Sequence, residues 1–155
     1  MNFDQAFETL IGHEGGYVNS KADPGGETKF GISKRAYPGE DIPALTLERA
    51  KALYLRDYWG PAGCDTVPDK AKLQVFDTAV NSGVKTAITL LQKAVFADVD
   101  GILGPHTLMA LNAMPSDRFV ARFNGLRLAF QADLPTWPTF GRGWARRIAQ
   151  NLLEV

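Results

Sequence analysis

The chain has one cysteine, Cys64, and two histidines, His13 and His106, among its 155 residues. A lone thiol cannot form an internal disulfide and cannot by itself assemble a zinc site, so neither a metal nor any other cofactor is expected. Basic and acidic side chains balance at 17 each, for a formal charge of zero. A nucleic-acid surface calls for a strong excess of Lys and Arg with aromatics placed for stacking, and none is evident. No apolar run approaches the roughly 18 to 20 residues of a membrane span, which argues against membrane insertion. The start Met1-Asn2-Phe3-Asp4-Gln5 has neither the basic nor the apolar region of a signal peptide, so synthesis in the cytoplasm is expected.

What remains is the composition of an ordered globular protein, with 45% hydrophobic and 22% charged residues. The length suits one domain over residues 1–155, and nothing in it demands more than a monomer. The zero net charge conceals an asymmetry. Residues 1–77 carry nine basic and twelve acidic side chains, and residues 78–155 carry eight basic and five acidic. Arg118, Arg122, Arg127, Arg142, Arg146 and Arg147 supply most of the second-half excess. They read either as a solvated helix face or as an attraction to a polyanion such as an acidic wall polymer.

Apolar periodicity predicts a mainly α protein. Asn2 and Gln5 form a capping-box pattern for a first helix with Phe3, Phe7, Leu10 and Ile11 on one face, ending near Glu14 against Gly15 and Gly16. From Tyr17 to Ile32 the chain is short-patterned and Gly-rich, as in a small hairpin turning at Pro24-Gly25-Gly26. A second helix starts near Thr46 with Leu47, Ala50, Tyr54 and Tyr58. A third follows Pro68 with Leu73, Phe76, Ala79 and Val80, and stops at Gly83. Ser82 is the expected cap of a fourth, with Val84, Ala87, Leu91 and Val95. Further helices are predicted from Pro105 to Ala113, after Pro115-Ser116 with a stripe at Phe119, Phe123, Leu126, Phe130 and Leu134, and at the end with Trp144, Ile148 and Leu152.

The chemistry concentrates near the first helix and the hairpin. Cleaving a glycosidic bond requires a carboxyl kept protonated near neutral pH to protonate the leaving oxygen, and Glu14 between Ile11 and Tyr17 is the candidate. Direct inversion adds a second carboxylate about 6.5–9.5 Å away, with room for a water. Asp23 is the candidate for that position, as a base or as a group that orients water or sugar, although Asp before Pro-Gly is also a good turn former. Thr28 could hold the water, Glu27 is a reserve carboxylate, and His13 reads as a structural or surface residue.

Gly12-His13-Glu14-Gly15-Gly16-Tyr17 and Asp23-Pro24-Gly25-Gly26-Glu27-Thr28-Lys29-Phe30-Gly31-Ile32 together resemble the signature of glycoside hydrolase family 108. That family comprises N-acetylmuramidases of bacteria and prophages, endolysins among them. Tyr58-Trp59-Gly60-Pro61, Cys64-Asp65 and Phe76-Asp77-Thr78-Ala79-Val80-Asn81-Ser82-Gly83 agree with it. The resemblance implies a lysozyme-like α-helical domain with a small β-hairpin beside the active-site cleft, and cleavage between N-acetylmuramic acid and N-acetylglucosamine in bacterial peptidoglycan. It makes Glu14 the general acid, with Asp23 and Thr28 resembling the Glu, Asp, Thr order of phage-type lysozymes at one residue less spacing. Tyr17, Glu27 and Asn81 are then substrate-binding candidates. Asn81 could bind an acetamido group or, on its position before Gly83, end a helix.

Residues 1–85 carry these motifs. Within residues 86–155, Asp100-Gly101-Ile102-Leu103-Gly104-Pro105-His106-Thr107 resembles the turn and helix of peptidoglycan-binding modules, with Thr107 starting the helix, and reads as turn-making or as a wall contact. Two further function classes fit the same residues: a lytic transglycosylase, and a non-catalytic wall-binding or secretion-assisting protein. Action on the wall, in the periplasm or outside the cell, would follow release through a holin or another route.

Overall fold

The computed structural model describes residues 1–12, 16–19, 21 and 25–154. Glu14 and Asp23, with His13, lie outside the described residues. The chain divides into two compact units, residues 2–57 and residues 58–155 together with Met1.

In the first unit, helix α1 (Phe3–Ile11) opens with a complete capping box: Gln5 N–H donates to Asn2 Oδ1, and Asn2 N–H donates to Gln5 Oε1. Its apolar face buries Ala6 and Phe7, and the Phe7 ring meets Tyr54 edge-on at 5.3 Å. Strands β1 (Val18–Asn19), β2 (Glu27–Lys29) and β3 (Ile32–Ser33) form an antiparallel sheet in that order. The expected hairpin is therefore extended by a third strand. Lys29 pairs with Ile32 across the two-residue loop Phe30-Gly31, where both residues have positive φ, as a tight type I′ connection requires. Tyr54 donates its hydroxyl to Phe30 O and lies where a Cβ on Gly31 would be. Helix α2 (Leu47–Tyr54) is capped by the Thr46 hydroxyl, which accepts from Arg49 N–H at 3.1 Å.

A π-helical turn, Leu55–Trp59, continues α2. The sequence pattern placed Tyr58 on the apolar face; instead Trp59 is buried and Tyr58 is half-buried. Closing bonds at i+5 rather than i+4 shifts the buried face by a residue, which an uninterrupted 3.6 period cannot anticipate.

The second unit is helical among its described residues: α3 (Asp69–Ser82), α4 (Val84–Ala94), α5 (Pro105–Ala113), α6 (Ser116–Ala132) and α7 (Trp137–Leu153). Helix α3 is central, packing on α4 and α6, while α6 also packs on α4 and α7. Every residue from Leu73 to Ala79 is buried, so α3 has no solvent face along that stretch. Trp59 packs edge-on against Phe76 at 5.3 Å and donates Nε1–H to Asp65 at 2.8 Å. Gly83, at φ 92°, separates α3 from α4; Ser82 does not cap α4, because its hydroxyl donates to Asn81 Oδ1. Gly141 admits the Trp137 ring, whose nearest atom lies 2.4 Å from where a Cβ would stand.

Candidate functional site

The first group of candidates sits on the sheet. The β1–β2 register pairs Val18 with Thr28 and Asn19 with Glu27. Because side chains alternate along a strand, Glu27 shares one face with Asn19, whereas Thr28 shares the other with Val18 and with its β3 partner Ser33. Tyr17, one residue before β1, reaches diagonally across the pair and donates its hydroxyl to Glu27 Oε1 at 2.8 Å. That bond to the carboxylate holds the Tyr17 pKa above its ordinary value. Tyr17 is 43% exposed and Glu27 half-buried. The Thr28 hydroxyl lies 3.4 Å from Gly26 O, a weak contact that leaves it able to turn to another partner. Tyr17 and Glu27 are thus brought together, and Thr28 projects from the opposite face.

Asn81 belongs to the second unit, in the last turn of α3. The C-terminal cap of that helix is Gly83, whose N–H bonds to Ala79 O, and the Asn81 side chain turns instead to α6. It is the last of three polar rungs. Asn124 Nδ2 donates to Gln74 Oε1 at 2.9 Å, Arg127 Nη1 to Asp77 Oδ2 at 2.6 Å, and Gln131 Nε2 to Asn81 Oδ1 at 2.8 Å. Gln74, Asp77 and Asn81 stand at i, i+3, i+7 on α3, and Asn124, Arg127 and Gln131 repeat that spacing on α6. The rungs advance together, so the two helices run parallel and one face of each meets the other.

The middle rung is ionic and buried. Asp77 is 2% exposed and Arg127 is wholly buried. Helix α7 completes the cluster: Arg147 donates Nε–H to Asp77 Oδ1, and Asn151 donates Nδ2–H to Asp77 Oδ2 at 2.8 Å. Burial pulls the Arg127 pKa below its ordinary value and the Asp77 carboxylate opposes that shift. Arg127 had read as part of a solvated basic face or a polyanion contact, and both readings are corrected by its burial. Arg122 is also committed within the fold. Its Nε–H donates to Ala94 O at 2.7 Å at the C-terminal end of α4, and its guanidinium lies 3.8 Å from the Phe96 ring centre. The sequence reading passed over Asp77, Gln74, Asn124 and Gln131 as chemistry. The available signal was the matched i, i+3, i+7 polar spacing on the two helices.

The segment from Asp100 is held by the buried side chain of Gln92. Its Oε1 accepts from Asp100 and Gly101 N–H, and its Nε2 donates to Asp100 Oδ1, Ile102 O and Thr107 Oγ1. Gly101, at φ 77°, makes the turn, and α5 begins at Pro105 rather than at Thr107. An open cavity of about 470 Å³ lies here, lined by Phe96, Asp98, Asp100, Ile102, His106 and Thr107 among others. Cys64 is fully buried, and burial pushes its thiol up to about 12.

The glycosyl hydrolase 108 family model matches residues 7–83, which span the Glu-Gly-Gly-Tyr run, the sheet and the Phe76–Gly83 stretch. A solved structure titled as that of Brucella abortus SagA is 35% identical, over 96% of this chain and 90% of that one, with a TM-score of 0.85. No curated protein matches the chain. The chain therefore belongs to the glycosyl hydrolase 108 family, a membership that implies a peptidoglycan hydrolase.

Proposed function

We propose that the protein is an N-acetylmuramidase that hydrolyses the β-1,4 bond between N-acetylmuramic acid and N-acetylglucosamine, with Glu14 as general acid. The family match over residues 7–83, which includes Glu14 in its Glu-Gly-Gly-Tyr run, carries this reading. Glu14 protonates the departing glycosidic oxygen, and Asp23 activates or orients the attacking water, assisted by the Thr28 hydroxyl. Tyr17 and Glu27, joined by a hydrogen bond that takes the one phenol hydrogen, offer acceptor oxygens to sugar hydroxyls, and Asn81 contacts an acetamido group. The enzyme works as a monomer and reaches the wall after release from the cytoplasm.

The test is digestion of purified peptidoglycan by wild type and Glu14→Gln, with released muropeptides reduced and identified by mass spectrometry. Reducible N-acetylmuramic acid ends from wild type alone establish the proposed activity. Anhydro ends instead identify a lytic transglycosylase. Sedimentation with insoluble wall without release of fragments identifies a wall-binding protein.

A further inference from the structure

Asn81 presents one amide orientation because two donors converge on its oxygen. Gln131 Nε2 donates to Asn81 Oδ1 at 2.8 Å, and the Ser82 hydroxyl donates to the same atom at 3.3 Å. A primary amide has one acceptor oxygen and a donor NH2. With the oxygen occupied, the group that half-buried Asn81 offers outward is its Nδ2. Gln131 is wholly buried one turn beyond Arg127 on α6; its Oε1 has no hydrogen-bond partner among the described residues, and its Nε2 is the atom that meets Asn81. Reversing Gln131 alone would set its oxygen against that of Asn81.

We infer that Gln131 is a positioning residue that fixes Asn81 as an N–H donor, so that Asn81 selects the carbonyl oxygen of a glycan N-acetyl group. The inference rests on the peptidoglycan reading and on Asn81 as a sugar contact, and adds to them the polarity of that contact and the residue that sets it. A free amino sugar has no such carbonyl and forfeits the bond.

The test is binding of an N-acetylglucosamine tetrasaccharide and of its N-deacetylated counterpart, measured by calorimetry on wild type, Gln131→Met, Asn81→Asp, Asn81→Ala and the Gln131→Met/Asn81→Ala double variant. Met keeps the volume of the buried side chain and removes its donor. Asp at 81 keeps an oxygen for Gln131 and removes the outward N–H. Wild type should favour the acetylated oligosaccharide by about fivefold on this contact alone, the worth of one neutral hydrogen bond. Gln131→Met and Asn81→Asp should each erase that preference, and Gln131→Met should change nothing further once Asn81 is Ala. A preference that survives in Gln131→Met, or a loss that adds to that of Asn81→Ala, overturns the inference, as does an Asn81→Ala protein that still discriminates. If Gln131→Met does not fold, Asn81→Asp alone decides, and retained discrimination there overturns it. Because binding is read without turnover, a wild type that releases no wall fragments fails the hydrolase reading separately.

Discussion

The sheet of the first unit and the α3–α6–α7 cluster of the second use polar side chains in opposite ways. Tyr17, just before β1, and Glu27, on β2, meet at the surface, where water screens the pair and its loss costs little stability. Asp77 and Arg127 meet in the interior, where a carboxylate or guanidinium left alone would be costly and where Arg147 and Asn151 complete the bonding. The first arrangement presents acceptor oxygens at the surface, where a ligand can meet them. The second commits most of its polar groups to contacts that set the register of three helices, leaving Asn124 Oδ1, Arg127 Nε and Nη2, and Gln131 Oε1 buried without a partner among the described residues. Tyr17, Glu27 and Asp77 lie within residues 7–83, which the family model matches, whereas Arg127, Arg147 and Asn151 lie beyond them, so the signature holds the exposed pair whole and only the carboxylate of the buried cluster.

The contrast can be broken or sharpened by substitution. The largest effect is expected at Glu14, in the sequence that leads to the sheet: Glu14→Gln should lower peptidoglycan hydrolysis by about 10²–10⁴-fold, with an unchanged urea midpoint, as for loss of a general acid. Near-wild-type turbidity clearance would remove Glu14 from that role. Next is the interior. Asp77→Ala leaves two guanidinium groups without their carboxylate and should cost about 3–5 kcal/mol in urea unfolding. A loss under about 1 kcal/mol would mean that the cluster is no more than a surface-type pair.

Gly31→Ala tests the turn between β2 and β3. It strains a positive φ and drives a methyl into the Tyr54 hydroxyl, so chemical denaturation should show a loss of about 1–3 kcal/mol. Tyr17→Phe should leave the unfolding midpoint where it is while lowering kcat/KM several-fold. A shifted midpoint with unchanged kinetics would make Tyr17–Glu27 structural and erase the contrast. The smallest effect is at Cys64, whose buried thiol should resist iodoacetamide at pH 8 in the native state and react fully in urea, as mass spectrometry would read. Its folded pKa is raised to about 12. The stability it contributes is therefore full below the unfolded thiol value of about 8.5 and is lost as pH rises through about 12.

Most helix boundaries were legible because they depend on neighbours in the chain. Asn2 with Gln5, Thr46, Gly83 and Pro105 mark starts and stops through bonds or torsions that span a few residues. The third strand was missed because two residues carry no detectable alternation; β3 exists through its pairing with β2 and the burial of Ile32. Ser82 looked like a cap because Ser before a helix usually is one, yet its hydroxyl is taken by Asn81.

The sequence by itself determined the helical class, the position of the sheet and the family, because periodicity, caps, turn residues and ordered motifs are written locally. Only the tertiary structure decided what the polar residues of the helices do. Arg127 has the same local sequence signs as a solvated arginine, and its burial follows from Asp77, fifty residues earlier, lying on the facing helix. The same holds for the orientation of Asn81, which depends on Gln131 across the α3–α6 contact. Burial and partner choice are properties of juxtaposition, and no window of the chain short enough to show a period contains both partners.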